Sequence, residues 1–124
     1  MATDLTIGLR DRPGSLAKAS DALGRAGVNI DGATGFVCDG QGIFHILVED
    51  LERARRALID SGFTIEDERR VAVTRVENQP GAAADLLRRI AAAEVNIDLL
   101  YLAADGRLVL GGPDVEGIQR AIEG

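Results

Sequence analysis

Cysteine, histidine and lysine occur once each in this chain, as Cys38, His45 and Lys18. A single thiol cannot close an internal disulfide, so the chain reads as cytoplasmic. Cys38 sits at a strand end with nothing nearby in sequence to activate it, which suits packing better than nucleophilic chemistry. His45 has no Cys or Asp partner at ligand spacing, so no metal is expected. It reads as a structural or interface histidine on the sheet face opposite the helices. Lys18 falls between solvent positions of a helix, where a Schiff-base role is not expected. Tryptophan is absent and aromatics make up 3% of residues, so there is little for bases to stack on. Twenty acidic residues against fourteen basic ones give a net charge of −6, which also argues against nucleic acid. No apolar run approaches the roughly 18 residues that span a bilayer. The start, Met1-Ala2-Thr3-Asp4, has neither the basic nor the apolar region of a signal peptide. No Ser-His-Asp set, P-loop or Cys-x-x-Cys occurs, so no catalytic residue and no cofactor are expected.

What is present is an ordinary globular composition, 46% hydrophobic and 27% charged, over 124 residues. That length suits one compact domain or two very small ones. The organising stretch is Asp11-Arg12-Pro13-Gly14-Ser15-Leu16. It follows the alternating run Leu5-Thr6-Ile7-Gly8-Leu9 and precedes an amphipathic run carrying Leu16, Ala19 and Leu23. It therefore reads as a strand-to-helix turn, with Pro13 at a first helical position and Gly14 open to close approach. Backbone N–H groups of Gly14, Ser15 and Leu16 at the positive end of the helix would suit a carboxylate or phosphate. A plain tight turn is the competing reading. The motif recurs as Asn78-Gln79-Pro80-Gly81-Ala82, 67 positions downstream, and Asn29-Ile30-Asp31 recurs as Asn96-Ile97-Asp98 at the same offset. Two landmarks at one offset indicate an internal duplication.

In chain order the pattern predicts strands over 4–10, 28–38, 43–48 and from 63, with helices over 14–26 and 51–61. The inward residues of the helices are Leu16, Ala19, Leu23 and Ala26, then Leu51, Ala54, Leu58 and Ile59. The turn Asp39-Gly40-Gln41-Gly42 joins the second and third strands. Glu66-Asp67-Glu68-Arg69-Arg70 reads as a short, solvated, inflexible junction. A second unit follows, with strands over 71–76, 95–102 and 108–110 and helices over 81–93 and 114–123. Ala83, Leu86, Leu87 and Ile90 face inward on the first of these. The domains are thus 1–69 and 70–124. The expected fold class is α+β: two tandem βαββαβ units, the second lacking its last strand, which leaves 71–76 with an unpaired edge for residues 63–70 to fold back on or, as the short connection favours, for a second copy of the chain to cover.

A strand, Asp-Arg-Pro-Gly-Ser-Leu, an amphipathic helix and Gly27-Val28-Asn29-Ile30 together resemble the ACT domain, a small amino-acid-binding regulatory module. Asp11, Arg12, Pro13, Gly14, Leu16, Gly27, Asn29 and Ile30 fit the first copy. Asn78, Pro80, Gly81, Asn96 and Ile97 fit the second, which departs at Ala83. The resemblance implies ferredoxin-like antiparallel sheets with helices on one face. It also implies paired units, and ligands at the loop between first strand and first helix. The implied site draws on Asp11, Arg12, Pro13, Gly14, Ser15, Leu16, Asn29 and Ile30, and on Asn78, Gln79, Pro80, Gly81, Ala82, Asn96 and Ile97. Asp11 and the carbonyls of Asn29 and Asn96 are candidates for an ammonium group, alongside readings as an exposed loop carboxylate and as turn asparagines. The implied function is an amino-acid sensor without a catalytic domain of its own, with a free amino acid, a separate enzyme or regulator chain and a second copy as partners. The alternatives are an ACT-fold interaction protein that no longer binds ligand and a small ferredoxin-like enzyme.

Overall fold

Leu5, Ile7 and Leu9 alternate with Asp4, Thr6 and Gly8, and the stretch is a strand, β1 (Ala2–Arg10). A computed structural model describes residues 1–124. After β1 come α1 (Ser15–Arg25), β2 (Gly32–Cys38), β3 (Gln41–Leu47) and α2 (Leu51–Asp60). Then follow β4 (Thr64–Arg75), α3 (Ala82–Ala92), β5 (Leu99–Ala103), a 3-10 turn at Ala104–Gly106, β6 (Arg107–Gly111) and α4 (Val115–Glu123). The chain divides into two compact units, Thr3–Arg69 and a second made of Arg70–Gly124 with Met1–Ala2. The architecture is α+β and ferredoxin-like. No helix is long and apolar enough to cross a membrane.

In the first unit β1 lies between β3 and β4, and β3 lies between β1 and β2. The β1–β3 and β2–β3 ladders are antiparallel, with Asp4 opposite Leu47 and Arg10 opposite Gln41. Cys38 also pairs with Gln41, across a two-residue turn at Asp39 and Gly40. Both turn residues have positive φ, 52° and 74°, as a type I′ hairpin requires. Leu5, Ile7, Leu9, Phe44 and Ile46 turn one sheet face toward Ala19 and Leu23 of α1 and Ala54 and Leu58 of α2. Ile30, Phe63 and Ile65 pack against this core. Ile59, expected inward, is 54% exposed, because it lies a step around the helix from the Ala54–Leu58 stripe. Leu16 is 52% exposed in the first turn of α1. Ala83, at the corresponding place in α3, is exposed too.

The second unit has its own core of Ala72, Leu86, Ile90, Leu108, Leu110 and Ile118, with Leu87, Ile97 and Val115 packed on it. Its β6 pairs antiparallel with both β4 and β5. Two expectations about residues 66–76 are corrected here. The acidic-to-basic run 66–70 does contain the boundary between the units, but it is part of a strand: β4 runs unbroken from Thr64 to Arg75. Its carboxylates are not all left to solvent, since Arg55 bonds Glu68 and Gln41 bonds Glu66. The strand 71–76, too, is not a bare edge along its whole length. Val71 and Ala72 are fully buried, Met1–Ala2 belong to this unit, and Arg70 reaches the Met1 sulfur at 3.9 Å. The reason is that β1 starts at Ala2, earlier than the apolar alternation suggests.

Candidate functional site

The turn from β1 into α1 is built by Arg12-Pro13-Gly14-Ser15. Gly14 has φ 91° and ψ −10°, and Ser15 N–H donates to the Arg12 carbonyl at 3.4 Å. Pro at the second position and a left-handed Gly at the third make a type II turn. Pro13 therefore precedes the helix instead of opening it, and Gly14 is the residue at the helix cap. The second loop has the same backbone: Gly81 has φ 88° and ψ −13°, and Ala82 N–H donates to the Gln79 carbonyl at 3.3 Å. Flanking bonds match as well, Arg12 N–H to Arg10 and Lys18 N–H to Gly14 against Gln79 N–H to Glu77 and Asp85 N–H to Gly81.

No side chain caps α1 or α3. The other two helices are capped, Asp50 accepting from Arg53 N–H at 3.1 Å and Asp114 from Gly117 N–H at 3.0 Å. The first N–H groups of α1 are therefore open to an outside acceptor, less the weakly held Ser15 N–H. The start of α1 borders a cleft of about 650 Å³. Asp11, Arg12, Pro13, Gly14 and Ser15 line it, joined by Arg10, Lys18, the Gly40–Gln41 hairpin end, Ser61–Thr64, Gly8 and Glu66. Leu16 is not part of the lining.

The other expected site residues lie elsewhere. Asn29 and Ile30 precede β2, beside Leu47, where Asp31 N–H donates to the Leu47 carbonyl at 2.9 Å. The cleft is at the Arg10–Gln41 end of the same ladder, a strand length of about 20 Å away. Asn29 donates to the Asp31 carboxylate at 2.7 Å, and Ile30 packs in the core. Asn96 and Ile97 repeat this placement. Asp98 N–H donates to the Gly111 carbonyl at 2.9 Å, and a methyl on Gly112 would strike the Asn96 carbonyl. Ile97 packs in the second core. The loop Asn78-Gln79-Pro80-Gly81-Ala82 follows β4 at the opposite, Arg107 end of its ladder. Within each unit, then, the Pro-Gly loop and the Asn-Ile pair occupy opposite ends of the sheet.

Gly8, Lys18, Gln41 and Glu66 line the cleft without belonging to the site read from sequence. A signal exists for Gly8, since a glycine interrupting a strand alternation marks a close approach. A second polar cluster has no local sequence signal at all. On the helix-free face, His45 Nδ1 lies 2.8 Å from Asp4 Oδ2 and 3.1 Å from Thr6 Oγ1, and the Thr6 hydroxyl donates to Asp4 at 3.2 Å. Asp4 is fully buried and His45 is 9% exposed, with Phe36 stacked on the imidazole at 5.9 Å. Hydrogen bonding is what makes a buried carboxylate tolerable there.

The fold is shared with solved structures. A Bacteroides thetaiotaomicron protein superposes with TM-score 0.88 at 24% identity, over 98% of this chain and 86% of that one. The ligand-free regulatory subunit of aspartate kinase from Thermus thermophilus gives 0.70 at 21% identity, over 98% and 89%. Its counterpart from Thermus flavus gives 0.62 at 20% identity, over 99% and 92%. At these identities the likeness is one of fold. No curated protein matches the chain in sequence. Residues 3–59 match the family model of the ACT domain, a span that holds the type II turn, the uncapped α1 and most of the cleft lining. Over residues 3–59, just under half of its length, the chain is therefore similar to the ACT domain.

Proposed function

We propose that this chain is a regulatory protein that binds a free amino acid and passes that state to a separate enzyme or regulator chain. The observation that carries the reading is the cleft at Pro13-Gly14. An uncapped helix start there supplies N–H donors for a carboxylate. Arg10, Arg12 and Lys18 add positive charge, and Asp11 and Glu66 add negative charge, which together suit a zwitterion. In this reading the second unit is a further ACT-like copy without a last strand, so that the domains are 1–69 and 70–124. Matching turns at Gly14 and Gly81 support it. The likeness to aspartate kinase regulatory subunits favours a regulatory role over a catalytic one.

The proposal includes a cytoplasmic location, in keeping with one exposed, unpaired cysteine. It also includes a homodimer, since Leu16, Phe36 and Val37 leave apolar surface half uncovered. Thermal shift of the full chain against each of the twenty common amino acids tests the reading. A rise in melting temperature with one or a few of them is expected. No shift with any would favour an interaction protein without a ligand.

A further inference from the structure

Gly8 falls on the face of β1 turned away from the helices. A methyl there would collide with Glu66 Oε1 and stand 2.7 Å from Gln41 Nε2. Those side chains come from β4 and β3, the two neighbours of β1, and they meet above the glycine. Gln41 Nε2 donates to Glu66 Oε1 at 3.0 Å, and both residues line the Pro-Gly cleft. Glu66 has no cationic partner, although Arg10, Arg12 and Lys18 line the same cleft. The hydrogen bond from the neutral Gln41 amide holds the carboxylate in place and adds no positive charge beside it. Asp11, by contrast, is an exposed loop residue that nothing fixes.

The second unit reverses this arrangement. The offset that carries Pro13 onto Pro80 carries Gly8 onto Arg75, and the shorter second hairpin places Asp105 where the first has Gln41. Arg75 Nη1 donates to the Asp105 carbonyl at 2.6 Å. Two loops of one backbone geometry thus carry a carboxylate above a glycine in one unit and a guanidinium in the other.

We propose that Glu66, held by Gln41 across Gly8, recognises the ammonium group of the ligand in the first cleft. This rests on the amino-acid reading above and deepens it. The α-amino group becomes a required feature, and the first unit becomes the amino-acid site. The second loop, with Arg75 in the equivalent place, repels an ammonium group and is not a second copy of that site. A held carboxylate loses less freedom on binding than a mobile one, which is why Glu66 and not Asp11 takes the role.

Calorimetric titration of the full chain with the twenty L-amino acids, and with the deaminated acid matching the tightest binder, tests this. Glu66→Gln is expected to weaken the amino acid at least tenfold and to leave the deaminated acid unchanged. Gly8→Ala keeps the carboxylate but displaces it, and should weaken the amino acid by a smaller factor. Arg75→Ala should leave the affinity as it is. Unchanged melting temperatures establish that the variants are folded, and Gly8→Ala carries the test if Glu66→Gln is not. Should the wild type bind an amino acid and Glu66→Gln bind it within twofold, this assignment is overturned while the amino-acid reading stands. A wild type that binds none of the twenty overturns both.

Discussion

Two glycines near one helix show how backbone angle, and not space, decides what a residue tolerates. A Cβ built on Gly14 or on Gly24 meets nothing within 4 Å. Gly14 nevertheless sits at φ 91°, while Gly24 lies within α1 and is not among the positive-φ glycines. Gly24→Ala should therefore stabilise the protein by about 0.5 kcal/mol through reduced freedom of the unfolded chain. Gly14→Ala should destabilise it by about 1–3 kcal/mol through backbone strain. Urea midpoints of the two variants against wild type check the opposite signs. The same strain follows any substitution of Gly14 meant to block the cleft, so Glu66 is the cleaner probe of ligand binding.

Among elements, α2 and β4 are tied by a forked pair. Arg55 Nε and Nη2 donate to the two Glu68 oxygens at 2.8 and 2.6 Å, while Glu52 accepts from Nη1. The hydrogen bond from Arg55 holds the Glu68 carboxyl below the usual glutamate value, its attraction outweighing desolvation. A folded value below the unfolded one contributes stability that is present above the unfolded pKa, about 4.3. That stability is lost as pH falls through the folded value. Replacing Glu68 by Gln should make the acid limb of a stability-versus-pH curve shallower and leave its slope near neutrality unchanged. Both side chains are about one-third exposed, so added salt should shrink the difference. The same pairing explains what sequence could not disclose. Repeat offset, Pro-Gly turns, glycine helix ends and alternating apolar residues all lie in local spacing, and they revealed nearly every element. Glu66-Asp67-Glu68 looks like solvated surface because carboxylates have low strand propensity. Their partners, Gln41 and Arg55, stand far back in the chain on other elements, and no local pattern announces them. Asn29 draws attention for the opposite reason: a recurring motif marks it, though what recurs is a turn that feeds a core.

For the whole molecule, the unbroken β4 has a thermodynamic consequence. Ile65 serves the first core and Ala72 the second, on one 12-residue strand with no flexible linker between them. Two units of this size are each marginal alone. Order in either half of the strand restricts the backbone freedom of the other, so a single calorimetric transition is expected, and two well-separated ones would contradict it. Sedimentation at micromolar concentration should meanwhile return a dimer mass for wild type. The lone thiol matters at this scale as well. Cys38 is exposed and stands opposite Gln41, whose side chain helps form the cleft rim. The protein thus comes with a single built-in attachment point for a fluorophore or spin label, about 5 Å of backbone from the residue that holds Glu66. A dye there would report occupancy of the cleft as a change in emission, with no engineered cysteine and no competing site of labelling.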